Sequence, residues 1–349
     1  MNLSKEQLHQ LIKAKVMLAG LSNSHADILA DVLVFADARG VHSHGAVRVE
    51  YYAERIAKGG INCQPHFQYE ETGPCSAVFD GDNAAGHVVA KKAMEKAITM
   101  ATEKGVAIIG VKRMSHSGAL GYFTKLAADQ GLVAISMCQS DPMVVPFGGS
   151  EVYYGTNPIA FSAPGPDGNI VNIDMATTIQ AWGKILDARS RNQSIPDTWA
   201  VDGDGNPTSD PHAVRSLLPI AGPKGYGLMM MVDILSGILL GLPFGKHVSS
   251  MYDDLSVGRE LGQLHIVINP AFFTSSSHFI DAIGQTMSEL NSIKPASGFE
   301  KVLYPGQNSA MAQANSDVNG IEIVDDVYHY LCSDHVYINS YDNKSAFNE

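Results

Sequence analysis

Basic side chains are scarce: 24 lysines and arginines stand against 36 aspartates and glutamates, a formal charge of −12 over 349 residues. Nucleic acid and anionic membranes are bound by basic faces, so this balance disfavours both partners. It leaves room for an anionic small molecule held by a few local cations. Cysteine is rare too: Cys63, Cys75, Cys138 and Cys332 are scattered and form no C-x-x-C pair. A disulfide framework or a structural zinc site is therefore not expected, and a reducing cytoplasm is. The opening MNLSKEQLHQ is polar and carries no signal-peptide core. The most apolar run, Leu228 to Leu242, is interrupted by Asp233 and falls short of the ~20 apolar residues of a membrane helix. A buried core helix is expected there. No G-x-G-x-x-G follows a strand and there is no G-x-x-x-x-G-K-[ST], so the chain offers neither a Rossmann fingerprint nor a P-loop.

What is present is ordinary globular composition, 45% hydrophobic and 17% charged, with length enough for two domains. The first sixty residues read as helices. Ser4 and Gln7 form a capping-box pattern ahead of Leu8, Leu11, Ile12 and Leu18. A second helix is expected from Ser24 with Asp27 to Gly40, and a third from near Ser43 to Gly60. Strand-like runs follow at Val106–Val111, Leu132–Cys138, Ile159–Ala163, Ile170–Asp174 and Leu264–Asn269, alternating with helical stretches. Beyond Ser275 the pattern is helical again, ending near Val324–Cys332. The expectation is an α/β fold: a sheet domain over 76–275, and a helical substrate lobe over 1–75 to which 276–349 returns.

In GVHSHGAVRVEYY, a helix from Ser43 would set His44, Arg48 and Tyr52 on one face at i, i+4 and i+8. The Arg48 fork suits a carboxylate, and Ser43 would sit at an anion-friendly helix N-terminus. The alternatives are a capped surface helix with Arg48 paired to an acid such as Glu54, or a metal-dependent hydrolase using the H-x-H pair His42 and His44. His116 follows directly on a strand, where ligands gather in α/β proteins, and can act as a base or cap the next helix. Asp141 could orient that histidine through its second nitrogen. Ser140 and the segment Asp174 to Thr178 repeat the strand-end placement, and Lys224 at a Gly-rich helix entrance could meet a phosphate or carboxylate.

Taken in order, DARGVHSHGAVRVEYY, MSHSG, QSDPMVVPFGG, YGTNPIAF, DMATT, GPKGYGLMMMVDILSG and YPGQ resemble the type-2 malate/L-lactate dehydrogenase family over nearly the whole chain. The resemblance implies oxidation of 2-hydroxy acids, or reduction of 2-oxo or 2-imino acids, with NAD bound on a sheet that is not a Rossmann fold. It implies His116 as proton acceptor and Ser43, His44 and Arg48 in the substrate pocket, the role of His44 staying open. It places the cofactor on Ser140, Asp174, Met175, Ala176, Lys224, Gly306, Gln307 and Asn308. It also implies a homodimer or larger homo-oligomer, and no metal.

Overall fold

The computed structural model describes residues 1–341. A short strand β1 (Asn2–Leu3) leads into helices α1 (Lys5–Leu18), α2 (Asn23–Ala38) and α3 (Val49–Ala57). Next come β2 (Gln68–Gly73), β3 (Ser76–Ala84), α4 (Gly86–Lys104), β4 (Val106–Met114), α5 (Leu120–Ala128), β5 (Val133–Cys138), β6 (Ile159–Pro164) and β7 (Ile170–Met175). Helix α6 (Trp182–Ser190), strands β8 (Ala200–Val201) and β9 (Ser216–Leu217), helix α7 (Pro223–Ser236) and strand β10 (Leu261–Ile268) follow. The chain then forms α8 (Ser276–Ser292), α9 (Gln307–Asn319), β11 (Ile321–Glu322) and α10 (Asp325–Cys332).

Seven strands make one sheet in the order β2-β3-β4-β10-β5-β6-β7. Only β3 and β4 pair in parallel, joined by α4; the other neighbours are antiparallel. A dinucleotide fingerprint belongs to successive parallel βαβ units, and this connectivity provides a single one. The five strand-like runs of the sequence are all strands. The sheet also takes in β2 and β3, so it begins before residue 75, the expected edge of the helical lobe.

Helices α4 and α5 cover one face, packing Val89, Ala93, Met94, Ala97 and Phe123 on Ile109, Val111, Ala134 and Val267. On the other face Val232 of α7 meets Met137 and Leu264. Strand β10 serves both faces by alternation, His265 turning to the α4 carbonyl of Ala90 while Leu264 faces α7. The expectation of a buried helix at Leu228–Leu242 needs correction. Met229, Val232, Asp233 and Ser236 are buried, but Met230, Met231, Ile234, Ile238 and Leu239 are exposed, and the α-helix ends at Ser236.

The N-terminal helices carry their own core, in which Leu8, Ile12, Leu29, Leu33, Tyr51 and Tyr52 pack with Ile321, Ile323 and Leu331 from the far end of the described chain. Strands β1 and β11 pair antiparallel, and the Met1 amino group donates to the Ile323 carbonyl at 2.9 Å. The Ser4–Gln7 capping box forms as expected. Helix α2 is capped by Ser22, not Ser24, its hydroxyl accepting from the N–H of His25. Val32 of α2 belongs to the sheet core while Leu29 and Leu33 belong to the helical one, so this helix is where the two cores meet.

Candidate active site

The expected helix from Ser43 does not form there. Two 3-10 turns, His42–His44 and Ala46–Arg48, precede α3, which starts at Val49. The cause is Asp37, a buried carboxylate at the end of α2. One of its oxygens accepts from the backbone N–H of Ala46 at 2.7 Å and the other lies 2.9 Å from His42 Nδ1. The chain therefore wraps around a side chain instead of its own axis. Gly45 makes room for this: a Cβ there would lie 2.1 Å from the Asp37 carboxylate. Gly45→Ala should cost about 1–3 kcal/mol by overpacking, read as a lower thermal midpoint.

This folding changes which of the expected residues meet. Arg48 donates through Nε to the Ser43 carbonyl at 2.9 Å and through Nη1 to the Tyr252 hydroxyl at 3.1 Å. Its Nη2 has no hydrogen-bond partner among the described residues. Ser43 Oγ lies 3.0 Å from His44 Nδ1. Glu54 pairs with Lys58 at 2.7 Å, so the Arg48–Glu54 alternative is not formed. His42 turns to Asp37 and His44 to Ser43. The two histidines of the H-x-H pair thus face separate partners and converge on no shared position. Among the described residues, ligand atoms cluster instead at His9, Asp27 and Asp31, where Lys13 already neutralises Asp27 at 2.7 Å.

Tyr52 leaves the expected row and joins His116, its hydroxyl 2.6 Å from Nδ1. His116 follows the end of β4, and its ring also lies beside that of His44, centroids 5.9 Å apart. Burial, then the neighbouring His44 and Arg48, hold the His116 imidazole well below its ordinary range. Burial likewise brings His44 down to about 4, with Arg48 adding to the effect. Both residues are half-buried. The outcome is a neutral imidazole with one nitrogen engaged by a phenol, beside a permanent cation.

Asp141 does not fulfil its expected role of orienting His116. It forms a buried ion pair with Arg259 at 2.7 Å and accepts the Met251 N–H. The phenol of Tyr52 holds the histidine nitrogen instead. Sequence reading also missed Tyr252, Tyr341 and Trp182, which line a cavity of about 740 Å³ together with Ser43 and Arg48. That lining does not include His116, His44 or Tyr52. Tyr252 and Tyr341 stack with centroids 5.8 Å apart. They come from loops far from α3 in sequence, and no local pattern marks them.

The remaining candidates gather around β7. Asp174 accepts the first-turn N–H of Gly121 from α5 at 2.7 Å. The residue is exposed while protein crowds its carboxyl; that desolvation lifts it to about 6 against the opposing pull of the N–H and of Arg39. Gly306, at φ 92°, ends the loop before α9, and a Cβ there would meet the Asn172 backbone at 2.8 Å. The Gly306–Asn308 turn is thereby seated two residues along β7 from Asp174. Ser140 Oγ lies 3.0 Å from Thr156 Oγ1 and accepts the Asn157 N–H. Met175 and Ala176 continue β7, half-buried, and Lys224 is exposed on the first turn of α7. Neither α7 nor α9 has a side-chain cap at its N-terminus. Uncapped N–H groups and a lysine suit phosphates, and a carboxylate suits ribose hydroxyls, so this donor set fits a dinucleotide.

A histidine held by a phenol, with an arginine near enough to act on it, is a donor set suited to 2-hydroxy or 2-oxo acids. The chain belongs to the malate/L-lactate dehydrogenase family, whose model matches residues 3–332. It is 65% identical over 347 residues, 99% of both chains, to the ureidoglycolate dehydrogenase (NAD(+)) of Escherichia coli strain K12. The solved sulfolactate dehydrogenase of Methanocaldococcus jannaschii is 37% identical, with TM-score 0.89 over 95% of each chain. The delta1-piperideine-2-carboxylate reductase of Pseudomonas syringae is 32% identical, with TM-score 0.86 over 95% of this chain and 98% of that one.

Proposed function

We propose that the protein oxidises (S)-ureidoglycolate to oxalurate with NAD, a step in the breakdown of allantoin and purine nitrogen. The carrying observation is the Tyr52–His116 pair with the Arg48 guanidinium near enough to act on the imidazole; the 65% identity with a ureidoglycolate dehydrogenase supports the substrate. In this reading Arg48 binds the substrate carboxylate, Ser43 and His44 line the pocket, and His116 Nε2 removes the C2 hydroxyl proton. Tyr52 keeps a proton on Nδ1, so that the lone pair lies on the nitrogen facing substrate. NAD, held by Ser140, Asp174 to Ala176, Lys224 and Gly306 to Asn308, supplies the acceptor for the C2 hydride.

The reading extends to a helical substrate lobe and a sheet domain for the cofactor, supported by the separate cores that meet at α2. It includes a homodimer in the cytoplasm, supported by the exposed apolar row of Met230, Met231, Ile234, Ile238 and Leu239 and by four free cysteines.

The test is the absorbance of reduced nicotinamide with a panel of 2-hydroxy acids, with and without chelator. Ureidoglycolate is expected to be preferred and chelator to have no effect. Preference for malate or sulfolactate would keep the family and reject the substrate; cofactor-free, chelator-sensitive turnover would reject the reading. The pH dependence has a definite sign. Oxidation needs neutral His116, whose protonation is pushed well below 6.5 by burial. Its kcat/KM should therefore stay level as pH drops through 6.5 and decline only in more acidic buffer. The reverse reduction needs the imidazolium, so it should gain as pH falls.

A further inference from the structure

His87, on the first turn of α4, has no part in the chemistry described so far. It is completely buried, and neither ring nitrogen has a hydrogen-bond partner among the described residues. One of the two must carry a hydrogen, and a buried donor without an acceptor is a standing cost to the fold. That cost is carried by a ring packed directly against the site. The ring stands edge-on to Tyr52, centroids 4.6 Å apart at 85°, and that tyrosine is the one bonded to His116. On the other side the chain passes so close at Gly118 that a Cβ there would lie 3.1 Å from His87 Nε2. The ring is wedged between the His116 loop and the Tyr52 ring.

We infer that His87 is a positioning residue for the reaction proposed above: its ring clamps the Tyr52 phenol onto His116 Nδ1 and so keeps Nε2 open toward substrate. In both productive states of His116, neutral base and imidazolium acid, Nδ1 carries a hydrogen directed at the Tyr52 oxygen. A Tyr52 ring free to tilt would release that hydrogen and let the proton settle on Nε2, where it blocks catalysis. The clamp has to stay neutral, because His116 takes up its proton close to Arg48 and His44. Burial, with His44 beside it, keeps His87 uncharged down to about pH 3.

The experiment compares His87→Ala and His87→Phe with wild type by steady-state kinetics, cofactor titration and ¹⁵N NMR of the histidine rings. In His87→Ala, kcat should fall roughly 10- to 100-fold, the scale of a misplaced catalytic group. KM for the hydroxy acid and the cofactor Kd should stay within about 3-fold, since Arg48 and the β7 face are untouched. The His116 signal, with Nδ1 protonated in the free wild-type protein, should become a mixture of tautomers. His87→Phe, which keeps a ring in the wedge, should recover most of kcat and the single tautomer. A His87→Ala protein with unaltered kcat overturns the inference. So does a loss of kcat with the His116 signal unchanged, or one that folded His87→Phe fails to recover. A wild-type protein inert toward every 2-hydroxy acid would instead reject the proposed reaction, while the NMR comparison still decides whether His87 fixes the tautomer.

Discussion

In a His116→Ala protein, turnover should fall by about 10²–10⁴-fold, the range that general acid–base catalysis supplies. Cofactor affinity should stay within about 3-fold of wild type, because the groups assigned to the cofactor lie around β7 and none bonds to the His116 ring. Rapid-mixing kinetics with the 2-hydroxy acid and fluorescence titration of reduced nicotinamide check the two halves separately. The size follows from the environment. Hydride loss from C2 without removal of the hydroxyl proton would leave a protonated carbonyl, and the proposed acceptor of that proton is His116, kept neutral by burial. His44 is adjacent and its basicity is likewise lowered by burial; what separates the two rings is the partner on Nδ1, a phenol for His116 and the Ser43 hydroxyl for His44. Near-normal turnover in His116→Ala would move the base to His44. A matching loss of cofactor binding would place His116 among the cofactor contacts.

Much of this architecture was legible because it rests on local periodicity. The five apolar runs are strands, and the Ser4 capping box opens α1. What escaped depends on distant partners. Strand β2 carries Glu70 and Glu71 and lies at the sheet edge, while β3 contains Asp80, Asp82 and Asn83, so neither reads as an apolar run. In the site, helical spacing grouped His44, Arg48 and Tyr52 in one row. The row is broken because Asp37 draws the Ala46 N–H out of helical register across a glycine. Asp37 stood in plain view as the acid that interrupts the apolar pattern of α2, yet its partner lies beyond the helix end. Asp141 shows the converse error. A strand-end aspartate near a catalytic histidine invites a pairing, but Arg259, 118 residues further on, claims it. Arg48 and His116 were singled out from residue type and placement; Tyr252, Tyr341 and His87 are joined to them only by the fold.

Replacing Arg48 by lysine should raise KM for the hydroxy acid and lower kcat/KM by roughly 10- to 150-fold, the worth of about 1.5–3 kcal/mol for hydrogen bonds to a charged group. Charge is conserved in this substitution, so the loss measures geometry. Two of the guanidinium's three nitrogens are already committed, Nε to the Ser43 carbonyl and Nη1 to the Tyr252 hydroxyl. These bonds lock the plane of the fork and turn its remaining edge, with Nη2, toward a ligand. An ammonium on a flexible stem has three donors and no plane. To hold the Ser43 turn it must abandon the substrate, and to reach the substrate it must release the turn. Tyr252→Phe provides the companion measurement. Removing the hydroxyl leaves the guanidinium intact but frees one side of it, so KM should rise by less, about 3- to 10-fold for one neutral-to-charged bond. If Arg48→Lys leaves KM unchanged and lowers kcat alone, the arginine stabilises the transition state and the carboxylate is held elsewhere. A rise in KM that also appears for a substrate lacking the carboxylate would show that the Ser43 turn, and not the fork, carries the effect.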